Sequence, residues 1–188
     1  IAQILLSFGI IENNILLQYI NELQSDFPHL PVPVLNDAFH TINYEMRNIG
    51  MEIRSLIILD DNGNRVRLHG IANMDDDFAA KTYGSEFNAS ELQFFKDLCL
   101  KLVDERHLST HDILVHKKND WSNIDTERFL FRLHEDKWLE KDKSNYWELG
   151  PRTHLELRSV IENAIRAGTE DEEMVEERIN ELPQILFY

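Results

Sequence analysis

A cluster of acidic and histidine side chains in the second half of the chain suggests a metal site. Its members are His107, His111, His116, Asp104 and Asp112. The stretch HLSTH lacks the glutamate of the zinc-binding H-E-x-x-H helix. His107 also precedes the helix cap expected at Ser109 or Thr110, so His107 and His111 are not expected to share a helical face. We therefore expect no metal at this cluster.

Other patterns with chemical meaning are equally incomplete. In DDNGNR, aligning Asp60 to the first position of a calcium loop puts Arg65 where glycine is required and Ile71 where glutamate is required. No serine-hydrolase signature, nucleotide fingerprint or phosphate-binding glycine loop is present. A single cysteine, Cys99, excludes a disulfide framework and a cysteine-based zinc site in these residues. We expect no catalytic residue and no cofactor-binding residue here.

The charge balance argues against direct DNA binding. The formal net charge is −15, whereas phosphate contacts require Lys and Arg. The residues from 117 to 158 contain 9 Lys/Arg but also 9 Asp/Glu. We expect DNA binding by this chain alone to be weak or absent. No apolar run approaches the length of a membrane span, so no membrane partner is expected.

The first half has the pattern of three helices followed by a β-hairpin. One helix is expected around Gln3 to Phe8, and a second places Leu16, Tyr19, Ile20 and Leu23 on an inward stripe. A third runs from about 36 to 48 and ends near Gly50. Two β-rich runs then flank Asn62-Gly63, a strong hairpin signal. With those two residues as the loop, the expected pairs are Leu59–Val66, Ile57–Leu68 and Asp60–Arg65.

The second half repeats this order. A helix capped by Asn88 and Glu91 is followed by a short helix capped at Ser109 or Thr110 and a third capped near Asp125. The ribbon 137–141 and 145–149 follows, with Trp138 and Trp147 expected as a packed cross-strand pair. Gly150-Pro151 starts a last helix that ends at Gly168.

This repetition predicts an α+β, mainly α fold with tandem winged-helix domains, each of three helices plus a β-hairpin wing. The predicted domains are 1–76 and 77–168. Residues 169–188 are predicted to be an acidic connector, since TEDEEMVEERINE holds 7 Asp/Glu and 1 Arg. Neither third helix carries the cations of a helix that reads base edges. In the third helix of the second half, Arg128 and Arg132 lie among four acidic residues. Near the third helix of the first half, the permanently charged cation is Arg47. Protein docking is thus favoured.

Three stretches resemble the non-SMC element one family, the RING-bearing subunits of the SMC five–six chromosome-maintenance complex. They are LHGIANMDDDFAAKTYGSEFNASELQFFKDLCLKLVD, DILVHKK and FLFRLHEDKWLEKDKSNYWELGPRTHLELRSVIEN. The resemblance spans most of residues 1–167 and is best from Arg67 onward. Its main features are the segment around Ile71-Ala72-Asn73, the helix ELQFFKDL and the DKWL…Y.EL wing.

The resemblance implies two winged-helix domains followed by a variant RING with two zinc ions. It also implies a MAGE-type winged-helix partner, a kleisin partner, and a ubiquitin-conjugating enzyme recruited by the RING. The implied activity is that of a RING-type ubiquitin ligase, in the nucleus, in DNA repair and recombination. This chain stops at Tyr188, and with one cysteine no RING ligand carries over. Zinc is therefore expected only in a C-terminal RING missing here.

The expected docking surface is the N-terminal apolar segment, because it supplies more apolar surface than a small three-helix domain can easily bury. Its predicted partner-binding residues are Ile4, Leu5, Phe8, Ile10 and Ile11. Two alternatives remain open. One is a DNA-binding repair factor acting through the wings around Lys141-Asp142-Lys143 and Arg65/Arg67. The other is a tandem winged-helix scaffold of another assembly.

Overall fold

The protein is described by a computed structural model. The structure describes residues 1–29, 31, 33–60, 62–75, 78, 87–117 and 121–188. Residues 76–77 and 79–86, which belong to the first of the three stretches that resemble the family, lie outside these ranges. The chain divides into two compact units, one formed by Ile1–Met74 with Pro183–Tyr188 and the other by Asp75–Leu182.

In its described residues, the first unit contains three α-helices and a four-stranded antiparallel sheet. Its elements are α1 (Ala2–Phe8), β1 (Ile10–Glu12), α2 (Asn13–Asp26), α3 (Leu35–Met46), β2 (Met51–Leu59), β3 (Arg65–Asn73) and β6 (Gln184–Phe187). The strand order is β1-β3-β2-β6. A short 3₁₀ turn, Arg47–Ile49, links α3 to β2, and Gly50 ends it with a φ of 71°, a left-handed conformation that glycine adopts without strain.

The β2–β3 hairpin forms as predicted, but its register differs by one residue. Leu59 pairs with Arg65 and Ile57 with Arg67. Instead of a two-residue turn, the Asp60 amide donates to the Asn64 carbonyl, and the Asp60 carboxylate accepts from the amides of Asn62 and Asn64 at 2.8 Å each. This carboxylate cap favours the longer loop, with Gly63 at a φ of 79°. The Asp60 carboxylate is thus used by the hairpin turn itself.

The second unit is mainly helical with a small ribbon. Its elements are α4 (Ala89–Glu105), α5 (Thr110–Val115), α6 (Asn123–Glu135), β4 (Leu139–Lys141), β5 (Trp147–Leu149), α7 (Pro151–Glu156), α8 (Arg158–Gly168) and α9 (Glu172–Asn180). The caps of α4 at Asn88 and of α5 at Ser109 are confirmed as capping boxes. The third helix begins earlier than predicted, because Ser122 caps it and Asp125 completes the box. The last predicted helix is broken at Leu157 into α7 and α8.

The two tryptophans of the ribbon region are core residues, but they are not a cross-strand pair. Lys141 faces Trp147 across the ribbon, and Trp138 lies just before β4. The ring of Trp138 is fully buried, 5.3 Å from that of Phe95. Trp147 is also buried, and its indole nitrogen donates to the Thr110 hydroxyl at 3.0 Å. The predicted pair was wrong because the register that pairs Leu139 with Leu149 places Trp138 three residues from the position opposite Trp147.

The predicted acidic connector 169–188 is corrected by the structure. Val175 of α9 is buried against Val103, Ile161 and Ile165, and the Arg178 guanidinium donates to the Val103 carbonyl. This helix therefore belongs to the core of the second unit. The residues after Pro183 form β6, which pairs with β2 in the first unit. The prediction relied on the number of Asp and Glu residues. It therefore missed a narrow apolar edge on α9 and the β-strand that follows this helix.

Candidate protein-docking surface

The five predicted partner-binding residues do not form one exposed patch. Leu5 and Ile11 are 0% and 5% exposed and belong to the core of the first unit, so their assignment is corrected. Ile11 pairs with His69 in the sheet, where strand alternation turns its side chain inward. Ile4 and Ile10 are half-buried, and Ile4 packs against the same core. Phe8 is exposed at 48%.

A row of exposed apolar residues lies on α2. The inward stripe of α2 consists of Leu16 and Ile20; Tyr19 and Leu23, predicted to join it, are exposed. A second stripe runs along the helix at four-residue spacing and continues just past its end. We call it the α2 ridge; its members are Ile15, Tyr19, Leu23 and Phe27, exposed at 42%, 37%, 47% and 47%.

Phe8 of α1 extends this apolar surface, and α1 carries a further exposed apolar residue. The ring of Phe8 lies 5.3 Å from that of Tyr19, and Leu6 is 63% exposed. Contiguous apolar surface of this kind marks interaction sites more often than isolated exposed residues do. The i, i+4 repeat of Ile15, Tyr19 and Leu23 was readable in the sequence, but sequence reasoning placed only one apolar stripe on α2.

The N-terminal segment that forms the ridge supplies carboxylates but no Lys or Arg. Residues 1–46 contain no Lys or Arg. Their acidic residues are Glu12, Glu22, Asp26, Asp37 and Glu45. Glu22 and Asp26 are exposed and follow Tyr19 and Leu23 by three residues, which places each carboxylate beside a ridge side chain.

A buried polar network lies beneath β6. Ser55 Oγ is 2.5 Å from His69 Nδ1 and 2.7 Å from the Tyr188 hydroxyl, and His69 Nε2 is 3.0 Å from Asn13 Oδ1. Since the Asn13 oxygen is an acceptor, Nε2 carries the proton, Nδ1 accepts from Ser55, and Ser55 accepts from Tyr188. Burial, with a smaller contribution from the positive charge of Arg67, lowers the pKa of His69 to about 4.

This serine–histidine–asparagine arrangement is structural. Ser55 and His69 are 0% and 1% exposed, and a nucleophile must reach its substrate. The network instead holds the end of β6. Asn43 Nδ2 and Arg47 Nη2 also donate to the Tyr188 carbonyl, at 3.2 and 2.8 Å.

His107 and His111 do not lie on one helical face, as expected from the sequence. His107 lies outside α5, ahead of the Ser109 cap, whereas His111 lies within it. His107 Nδ1 is 3.5 Å from Asp142 and 3.8 Å from Glu148. Over the residues that the structure describes, no group of three or more His, Cys, Asp or Glu side chains is arranged to hold a metal ion. No helix in those residues is long and apolar enough to cross a membrane.

Three of the cations near the predicted DNA-reading elements, Arg47, Arg132 and Lys141, make contacts within the protein. Arg47 contacts the Tyr188 carbonyl and lies 3.5 Å from Glu52. On α6, Arg132 pairs with Glu91 at 2.7 Å. On the ribbon, Lys141 donates to Asn145 at 2.9 Å, and its ammonium group lies 4.5 Å from the Trp147 ring centre.

We therefore predict no measurable affinity for a DNA duplex between about 50 and about 200 mM salt. Fluorescence anisotropy with a labelled duplex measures this. Phosphate contacts would release counterions and give a negative slope of log K against log salt. Binding with a slope of several units would contradict the prediction, and a slope smaller by about one unit in the variant Lys141→Glu would identify the wing as a DNA contact.

The architecture indicates the general fold class of the chain. It is mixed α/β, mainly helical, with small antiparallel sheets, and is consistent with the winged-helix class. Among solved structures, the chain is similar to a chain of the "Nse1-Nse3-Nse4 complex", with a TM-score of 0.72 and 20% sequence identity. The match covers 88% of this chain and 72% of that chain. At this identity the likeness shows a shared fold.

No protein-family model matches the chain, and no curated protein matches it. The chain matched in structure comes from a complex. The name of that complex includes Nse1, which stands for the non-SMC element one family that the sequence resembles.

Proposed function

We propose that the chain is the scaffold portion of an Nse1-like subunit of an SMC five–six complex, and that it docks a MAGE-type winged-helix partner and a kleisin. The likeness in fold to a chain of the Nse1-Nse3-Nse4 complex, over 88% of this chain, carries this proposal. The exposed apolar surface of α1 and α2 supports it independently, because it gives the first unit a surface suited to a protein partner.

We also propose that both units are winged-helix domains in tandem. In the first unit, the short strand β1 after the first helix pairs with β3, the second strand of the hairpin. In the second unit, Leu108 lies after the first helix and pairs with Trp147 on β5, the second strand of that ribbon. The same order of helix, short strand, two helices and hairpin supports a repeated winged-helix plan.

The ligase activity belongs to a further region in this proposal. A RING positions a charged carrier enzyme and needs no nucleophile of its own, so the described units would contribute assembly and not chemistry. The zinc ions and the ubiquitin-conjugating enzyme would bind the RING. The nuclear role in DNA repair and recombination rests on the same proposed membership of the complex.

The double variant Leu6→Ser, Phe8→Ser is expected to weaken binding to a MAGE-type subunit by about tenfold or more, which corresponds to ~1.4 kcal/mol. Both side chains are exposed, at 63% and 48%, so the loss would come from the interface and not from the core. Light scattering after size exclusion, on the chain mixed with that subunit, should show a one-to-one complex for the wild type and its loss in the variant.

The matched control is Ile124→Ser, Phe131→Ser on α6, two apolar residues of the second unit exposed at 60% and 62%. This control is expected to keep the complex. Separate peaks for the wild-type chain and the MAGE-type subunit would contradict the proposed function. If both double variants lost the complex to the same extent, the binding surface for the partner would not lie on α1.

The same exposed apolar surface also supports a second candidate function, in which the chain is a scaffold subunit of another assembly. It would be favoured if the chain binds no MAGE-type subunit but still requires Leu6 and Phe8 for capture of a different winged-helix protein.

A further inference from the structure

The α2 ridge has the geometry of a surface that receives another helix. Ile15, Tyr19 and Leu23 lie in one i, i+4 row, and Phe27 continues the row just beyond the helix end. Rows of this type form the ridges that interdigitate when two helices pack at an angle of about −50°. The row presents apolar side chains where a solvated helix face would carry polar ones.

The charged residues beside the ridge indicate which charges a bound helix should carry. One long side of the ridge adjoins the buried stripe of Leu16 and Ile20. The other side carries Glu22 and Asp26, and residues 1–46 supply no cation that could neutralise them. A helix seated on the ridge would bring its own flanking residues alongside these two carboxylates.

A second copy of this chain fits the ridge poorly. Self-association would bring Glu22 and Asp26 of two copies together in a chain whose net charge is already −15, and like charges across an interface are unfavourable. An anionic lipid surface would meet the same repulsion.

We propose that the α2 ridge binds an amphipathic helix whose apolar stripe is bordered by Lys or Arg. This inference rests on the proposed function, in which the first unit docks a partner, and it adds the chemistry of the partner's contacting segment. Ile15, Tyr19 and Leu23 supply the apolar contact. Glu22 and Asp26 set the polarity and the register of the partner helix.

The test uses two synthetic helical peptides with the same leucine stripe, one bordered by lysines and one by glutamates. We expect the lysine peptide to bind at least about tenfold more tightly in isothermal titration of the whole chain. We also expect the difference to shrink near 1 M salt, where the Debye length is about 3 Å. Equal binding of the two peptides would overturn the proposed charge selection.

Two variants locate the contact. Leu23→Glu should weaken the lysine peptide about tenfold, whereas the matched control Leu59→Glu, at an exposed leucine on β2, should not. The charge-swap variant Glu22→Lys, Asp26→Lys should reverse the preference in favour of the glutamate peptide. Unchanged affinity in Leu23→Glu, or no reversal in the charge-swap variant, would overturn the assignment of this ridge.

The outcomes separate this inference from the proposed function. If neither peptide binds but a MAGE-type subunit still forms a one-to-one complex, the ridge proposal fails and the proposed function stands. If the lysine peptide binds through Leu23 but no MAGE-type subunit does, the ridge proposal stands and the proposed partner is wrong. A doubled mass of the free chain that falls to one copy in Leu23→Glu would show a second copy on the ridge and overturn the proposal.

Discussion

Deleting Pro183–Tyr188 is expected to destabilise the first unit selectively. The deletion removes β6, whose residues Gln184–Phe187 pair with β2. It also removes the Tyr188 ring, which packs 5.0 Å from that of Phe39. Ser55 and Asn43, both buried, would each lose one hydrogen bond, and a hydrogen bond contributes about 0.5–1.5 kcal/mol to stability.

A point variant isolates the anchor of the strand. Tyr188→Ala is expected to lower the free energy of unfolding of the first unit by about 3 kcal/mol, from lost packing and the lost hydroxyl contact. The matched control is Phe187→Ala, one residue away and 63% exposed, where we expect about 0.5 kcal/mol.

Hydrogen exchange resolved along the chain measures both variants. We expect Tyr188→Ala to accelerate exchange in β2 and β3 but not in α4, which belongs to the other unit. If Tyr188→Ala and Phe187→Ala had the same small effect, β6 would be an accessory strand, and the proposed anchoring by Ser55 and Asn43 would be wrong.

Replacing Gly150 with alanine should be the most damaging small substitution in the second unit. A Cβ at this position would lie 2.8 Å from the carbonyl carbon of Trp138 and closer still to the Lys137 carbonyl oxygen. These are backbone atoms, so no side-chain rotation relieves the clash. The Trp138 carbonyl also accepts from the Gly150 amide at 2.8 Å and from the Thr153 hydroxyl at 2.5 Å.

We expect Gly150→Ala to cost about 3 kcal/mol in the free energy of unfolding of the second unit, at the upper end of overpacking effects. The matched control is Gly168→Ala, where the nearest atom to the new Cβ is an Asp104 carboxylate oxygen at 3.5 Å, an ordinary contact. Chemical denaturation monitored by tryptophan fluorescence suits this unit, which contains Trp121, Trp138 and Trp147. Equal stability of the two variants would mean that the β4–α7 junction is looser than the structure shows.

Much of the fold follows from local signals in the sequence. Asn88 with Glu91, and Ser109 three residues before Asp112, encode helix starts because each pair satisfies amide groups within one turn. The hairpin at Asn62-Gly63 was equally predictable. Its register was not, because the Asp60 carboxylate competes for the turn amides and lengthens the loop by one residue on one side.

The docking surface was only partly predictable for a different reason. The sequence shows that the N-terminal segment is rich in apolar residues, but Leu5 and Phe8 carry similar apolar signals. Only the packed unit places Leu5 in the core and leaves Phe8 beside Tyr19. Burial depends on which face meets the sheet, and that choice is made by contacts distant in sequence.

The sequence by itself determined the order of helices and hairpins, most helix starts, the acidic character of the first 46 residues, and the resemblance to the non-SMC element one family. The tertiary structure decided that residues 184–187 return to the first unit as β6, that α9 packs on the second, and that the ridge of α2 faces outward. Helix caps and turns act over three or four residues. Strand pairing and burial instead join residues more than a hundred positions apart, as Ser55 and Tyr188 show, and no local pattern encodes such a pairing.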